Sequence, residues 1–161
     1  MSSARILVAD DDSLMREFVI ETLNRIGYEV DGVTDGDSAM SAIQKVDYDL
    51  IITDIKMPGS DGMTVLKAAK NIDPDYKVIL MTAYGTIENA VDAMKEGAFD
   101  YLTKGQKTSP DEIEVIVERA LKFKKLESEN KRLKSELSDK YAYSNIVGKS
   151  PRIQQIFEMI Q

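Results

Sequence analysis

Two acidic positions in this chain fall where an apolar run gives way to a turn. Asp54 ends the run Leu50-Ile51-Ile52-Thr53 and is followed by the turn Met57-Pro58-Gly59. The cluster Asp10-Asp11-Asp12 ends a second run, Ile6-Leu7-Val8-Ala9. In a parallel sheet the carboxyl ends of the strands share one edge, where open α/β folds build their sites. Several carboxylates would then crowd one crevice. Two unit charges about 4 Å apart repel by roughly 4 kcal/mol at an effective dielectric of about 20. Such a cluster calls for a hard divalent cation. A carboxylate beside that cation can act as a nucleophile toward a phosphoryl group.

The elements that must position these residues alternate strand and helix up to about residue 121. Ile6 to Ala9 is too short and apolar for a helix. Ser13 can cap the next segment, in which Leu14, Phe18, Val19, Leu23 and Ile26 recur at helical spacing until Gly27. Asp12 suits that cap better than a ligand role. Tyr28 to Val33 alternates as a strand, and Ser38 to Val46 reads as a helix. Leu50 to Thr53 is the third strand. The Asp61-Gly62 turn then precedes a helix carrying Val65, Leu66 and Ala69. Val78 to Met81 is continuously apolar, as expected of a strand buried on both faces. Thr86 caps a helix that Gly97 ends, Phe99 to Leu102 is a fifth strand, and a helix follows Pro110. This succession predicts an α/β fold: a doubly wound parallel sheet with a long C-terminal helix.

Composition narrows the chemistry. The chain has 161 residues, 43% of them hydrophobic, enough for one packed domain and an extension. A net charge of −7 argues against a nucleic-acid surface, which needs clustered Lys and Arg. With no Cys there is no disulfide or thiolate site, and with no His there is no imidazole base, ligand or phosphohistidine carrier. The N-terminus lacks a signal-peptide core and no apolar run is long enough to span a bilayer, so a cytoplasmic location is expected.

The C-terminal part has a different texture. From Leu121 to Lys140 charge is dense and Gly and Pro are absent. Phe123, Asn130 and Leu137 fall at heptad a positions and Leu126 and Leu133 at d, which predicts a parallel homodimer through this helix. Its flanking pairs, Lys122 with Glu127 and Glu129 with Lys134, are opposite in sign. Tyr141-Ala142-Tyr143-Ser144 reads as a linker and Ile146 to Pro151 as a strand-like turn and helix cap. Ile153, Ile156, Phe157 and Ile160 begin an amphipathic helix. The expected domains are residues 1–121, a coiled-coil linker at 122–140, and the start of a further domain at 141–161.

Asp10, Asp11, Asp54, Thr82 and Lys104, each at a proposed strand end, carry a resemblance. Ile6-Leu7-Val8-Ala9-Asp10-Asp11, Thr53-Asp54 through Asp61-Gly62, Met81-Thr82-Ala83 and Asp100-Tyr101-Leu102-Thr103-Lys104 together resemble the receiver domain of two-component response regulators. Thr82 to Glu88 resembles the nitrogen-regulatory-protein-C subgroup. Asn145 to Ser150 resembles the entry to that subgroup's AAA+ ATPase domain, which activates sigma-54 transcription.

The resemblance implies a flavodoxin-like sheet of order 2-1-3-4-5. It implies that Asp54 accepts a phosphoryl group from a sensor histidine kinase. It assigns Mg2+ to Asp10, Asp11, Asp54 and the backbone carbonyl of Lys56. Lys104 and Thr82 would contact the phosphoryl oxygens, and Tyr101 would move inward as a switch with Thr82. In the whole protein the partners would include sigma-54 RNA polymerase and DNA. No phosphate-binding Gly-rich loop or helix-turn-helix occurs in these residues, so ATP hydrolysis and DNA reading are not expected of them. One departure stands out: such domains usually place Pro after the last-strand Lys, whereas here Gly105 follows in a longer loop. Glycine cannot impose the proline geometry, so Lys104 is expected to be held less firmly. The enzyme alternative is an aspartate-nucleophile phosphatase, which carries a second Asp where this chain has Lys56. A flavin-binding module would need a phosphate loop where Asp10-Asp11-Asp12 stands.

Overall fold

A computed structural model describes residues 4–83, 87–104 and 108–147. The strands are β1 (Arg5–Ala9), β2 (Glu29–Val33), β3 (Leu50–Asp54), β4 (Val78–Thr82) and β5 (Asp100–Thr103). They alternate with helices α1 (Ser13–Ile26), α2 (Gly36–Lys45), α3 (Gly62–Ile72), α4 (Ile87–Lys95) and α5 (Pro110–Val147). All five strands are parallel, in the order β2-β1-β3-β4-β5. The chain runs outward from β1 to β2, then returns past β1 to β3. The crevice of such a sheet lies where that direction reverses, between β1 and β3.

Alternation along each strand divides the core between two faces. Leu7, Ile51, Val78 and Leu80 meet Ala39 and Ile43 of α2, Val65 and Leu66 of α3, and Ala93 of α4. Ile6, Val8, Leu50, Ile52, Ile79 and Met81 meet Val19 and Leu23 of α1, and Ile113, Ile116 and Val117 of α5. The inner strands β3 and β4 are buried along their whole lengths, as expected of strands covered on both faces.

Several local expectations need correction. Asp12, not Ser13, caps α1: its carboxylate accepts from the N–H groups of Leu14 and Met15, and Ser13 lies inside the helix. A carboxylate at the cap also meets the positive end of the helix dipole. Tyr141 to Ser144 form no linker, and Ile146 and Val147 no strand-like turn. Helix α5 continues through Val147, and no Gly or Pro interrupts it between Asp111 and Val147. The expected cap Thr86 and residues 148–161 lie outside the described residues.

The chain divides into two units, Met1–Lys124 and Lys125–Gln161. Phe123, read from the sequence as a seam residue, packs within the first unit. Its ring lies 5.6 Å from that of Phe99, and the Lys77 ammonium sits 4.9 Å from its centroid. Beside it, Lys124 donates to Asp49 at 2.7 Å, and Asp49 also accepts the Arg5 N–H at 2.8 Å. In the second unit Leu126, Leu133 and Leu137 stay exposed. Among the described residues no helix is long and apolar enough to cross a membrane.

The end of the sheet away from the crevice is tied by two tyrosines. The buried Tyr48 N–H donates to the Tyr76 hydroxyl at 3.0 Å, and the Tyr48 hydroxyl donates to Asp31 at 2.8 Å. Burial is the main cause that raises both phenols from 10.0 to about 12. A phenol raised in the folded state binds its proton more tightly there than in the unfolded chain. Its contribution is complete below pH 10 and is lost as pH rises toward about 12. Alkaline spectrophotometric titration should therefore show two tyrosinates forming late, with unfolding in that window. Tyr76→Phe should cost about 1–3 kcal/mol in urea unfolding, because it strands a buried N–H; an unchanged midpoint would refute this.

Candidate functional site

The crevice gathers the carboxyl ends of four strands. Asp10 follows β1, Asp54 ends β3, Thr82 ends β4, and Lys104 follows β5. Carboxylate oxygens of Asp10, Asp11 and Asp54 all lie within 4.8 Å of one another. Asp10 and Asp54 are buried, whereas Asp11 faces solvent. The geometry thus reproduces the crowding that the two acidic strand ends imply.

Lys104 reaches into this cluster. Its ammonium donates to Asp54 Oδ2 at 2.8 Å and lies 2.6 Å from Asp10 Oδ2. Burial works against a charged Lys104, but its bonds to Asp10 and Asp54 outweigh burial and raise its pKa. Burial likewise pushes the Asp10 carboxyl up, against the pull of Lys104 and of the Asp12 N–H. The Lys104 side chain reaches the carboxylates and is only 12% exposed. Gly105, Gln106 and Lys107 lie outside the described residues.

Three carboxylates against one ammonium leave two formal negative charges in the pocket. Both Asp10 oxygens are engaged: Oδ1 accepts the Asp12 N–H at 3.0 Å and Oδ2 pairs with the Lys104 ammonium at 2.6 Å. The shortfall is one of charge, because a single ammonium cannot neutralise three carboxylates. This donor set fits a hard divalent cation, which takes oxygen ligands and retains several waters. Lys56 lies two residues beyond Asp54 in the β3–α3 loop, with its side chain exposed.

The scaffold fixes these atoms through contacts with little sequence signature. Arg16 donates from Nη1 to the Asp10 carbonyl at 2.8 Å, steadying the β1–α1 turn from one turn into the helix. The Gly62 N–H donates to the Ile55 carbonyl at 2.8 Å. A Cβ at Gly62 would collide with the Asp54 carbonyl, so the loop can close there only over glycine. The Asp61-Gly62 pair marks this turn in the sequence; nothing marks Arg16.

Thr82 is buried, and its carbonyl accepts the Lys104 N–H at 2.7 Å. Tyr101, paired in register with Leu80, is half-buried and packs against the face that carries α2, α3 and α4. Its hydroxyl is buried without a hydrogen-bond partner among the described residues. The aromatic expected to swing inward is therefore already turned inward here, with its polar end unsatisfied.

Comparison with known proteins agrees with this geometry. The family model described as response regulator receiver domain matches residues 6–118. Regulatory protein AtoC of Escherichia coli strain K12 is 34% identical over 152 residues, covering 94% of this chain and 32% of AtoC. The DNA-binding transcriptional regulator NtrC of Azospirillum brasilense is 34% identical over 160 residues, covering 99% of this chain and 32% of NtrC. The crystal structure of NtrX from Brucella abortus aligns with a TM-score of 0.77 at 32% identity, covering 99% of this chain and 34% of that one. The chain spans about a third of the length of the curated relatives it matches. The phosphatase alternative gains no support, and Lys56 stands where its second acid belongs.

Tyr101→Phe tests the orphaned hydroxyl. Removing a buried group that has no partner should raise unfolding stability by about 1 kcal/mol. A fall in the denaturation midpoint would show that the hydroxyl is satisfied in solution.

Proposed function

We infer a function from one premise: this chain belongs to the response regulator receiver domain family. Asp54 is its phosphoacceptor, and the donor is the phosphohistidine of a sensor kinase. An Asp54 carboxylate oxygen attacks phosphorus, the P–N bond breaks, and its electron pair returns to the imidazole nitrogen. The product is an acyl phosphate on Asp54. The observation that carries this reading is the pairing of buried Asp54 with Lys104, inside a carboxylate cluster at the sheet's reversal point.

Asp10, Asp11 and Asp54, with the Lys56 carbonyl, would hold Mg2+. When bound, that ion supplies the positive charge that lets an anionic nucleophile meet an anionic phosphate. The chain's own groups do the rest. Lys104 already donates to Asp54 Oδ2 and turns that donation toward a phosphoryl oxygen. The Thr82 hydroxyl donates to a second oxygen. Its neighbour Tyr101, already inward, is held there when Thr82 engages. The unsatisfied Tyr101 hydroxyl favours a two-state element, because a buried orphan makes the inward state costly unless something rewards it.

The wider role follows the relatives. AtoC and NtrC are named as regulators. We assign this chain to the regulatory part of a cytoplasmic sigma-54-dependent activator whose whole length would include an AAA+ ATPase and contact DNA. We assign residues 1–121 to the receiver domain, 122–140 to a dimerising helix and 141–161 to the start of the ATPase domain. The exposed Leu126, Leu133 and Leu137 support self-association there: a lone helix gains nothing from leaving an apolar stripe in water.

Two experiments test this. With Mg2+ and acetyl phosphate, intact mass should rise by one phosphoryl group, and Asp54→Ala should abolish the gain. A gain that persists in the variant, or rapid turnover of unrelated phosphate esters, would overturn the assignment. Leu133→Asp should shift the sedimentation coefficient from dimer to monomer while leaving phosphorylation intact; an unshifted variant removes the helix from the interface.

A further inference from the structure

We propose that Asp37, on the first turn of α2, is a positioning residue for the β3–α3 loop that holds the cation. The inference rests on the reading of that loop as a cation ligand through Lys56. Its ground is a set of contacts between α2 and the loop that neither the catalytic cluster nor the core requires.

The ends of the loop are anchored to the sheet and to α3. Ile55 donates its N–H to the Met81 carbonyl at 2.9 Å, and Gly62 donates to the Ile55 carbonyl at 2.8 Å. Asp61 caps α3 by accepting the Thr64 N–H. Between these anchors the stretch from Lys56 to Ser60 makes further contacts. Met57 packs its side chain on the core. Gly59 and Ser60 face α2 instead.

Three contacts join α2 to that stretch. The Ser60 hydroxyl donates to Asp37 Oδ1 at 2.7 Å. The other oxygen of the same carboxylate covers Gly59, where an added Cβ would lie 2.7 Å from Asp37 Oδ2. Gly59 also has φ of 73°, a conformation that glycine adopts without strain. At Gly36 any Cβ would collide with the Ser60 carbonyl, so helix and loop touch backbone to backbone. The first turn of α2 is itself fixed, because Asp35 accepts the Ser38 N–H at 2.7 Å. A negative side chain is also favoured in that turn by the helix dipole.

Asp37 thus acts on the cation through the loop. A ligand carbonyl on a loop free to move must be ordered at the moment of binding, and that ordering weakens affinity. Groups that orient metal ligands from outside are worth appreciable factors in metal affinity when removed. The Asp37–Ser60 hydrogen bond is solvent-exposed, so its share is modest.

The test measures Mg2+ dissociation constants by NMR titration of loop amides, on the full chain, with melting temperature alongside. Asp37→Ala and Ser60→Ala should each weaken Mg2+ about fivefold. The double variant should be no weaker than either single one. Asp37→Asn keeps an oxygen that can accept from Ser60 and should bind almost as the parent does. Parent-like binding in both alanine variants overturns the inference while leaving the cation site intact. Loss in Asp37→Asn with none in Ser60→Ala also overturns it, since that pattern is distant charge, not positioning. A parent chain that binds no Mg2+ would instead overturn the cation reading itself, and this inference with it.

Discussion

The structure depends on keeping negative charge concentrated at one edge of a parallel sheet. Asp10 and Asp54 are buried there within reach of Asp11, and one ammonium, Lys104, stands between them. Removing a carboxylate from water is expensive unless it is paired. Pairing here is partial by number, because one ammonium faces three carboxylates. The fold holds an electrostatic deficit that further positive charge would relieve. That deficit suits the crevice to a divalent cation.

The sheet is what makes such a concentration possible. Strands β1, β3, β4 and β5 end at one rim, and two apolar layers bury the inner strands β3 and β4 along their lengths. The ladder fixes the strand ends relative to one another, so the four candidate side chains Asp10, Asp54, Thr82 and Lys104 inherit positions from backbone hydrogen bonds. Loops then refine those positions through close approaches that exclude larger residues, as at Gly62 over the Asp54 carbonyl. Rigidity in the strands and tolerance in the loops divide the work. Tyr101 on β5, an outer strand, carries the unsatisfied hydroxyl. A side chain with an unmet polar group beside the charged rim is where a second conformation costs least.

Much of this was legible in the residues. Apolar runs of strand length ending in acidic residues imply the sheet and the crowding of Asp10, Asp11 and Asp54, while the strand order and the place of Lys104 come only through resemblance. What escaped was decided by contacts between segments distant in sequence. Nothing near Arg16 says that its guanidinium reaches the Asp10 carbonyl, and nothing near Ser60 announces Asp37. At the start of α1 the sequence offers both Ser13 and Asp12 as caps; Asp12 is the cap, as its reading as a cap instead of a ligand expects, and Ser13 is not. Tyr141 to Ser144 looked like a linker because aromatic and small residues interrupt the heptads. Helix propagation needs only the absence of a breaker, and none is present.

Phe123 lies where two kinds of packing along α5 meet. Its spacing from Asn130 and Leu137 satisfies a heptad, yet its ring packs on Phe99 under the Lys77 ammonium, inside the first unit. Upstream, Ile113, Ile116, Val117 and Ala120 face the sheet. Those spacings of three, one and three are the stripe of a helix packed on a broad surface, not a two-residue seam. Downstream, Leu126, Leu133 and Leu137 keep spacings of seven and four and remain exposed. One uninterrupted helix therefore changes its burial pattern close to the boundary after Lys124. The Phe123 ring touches an aromatic and a cation of the domain yet stays 48% exposed, nearly as exposed as the leucines that follow it. One face of that ring serves the domain and the other continues the apolar stripe.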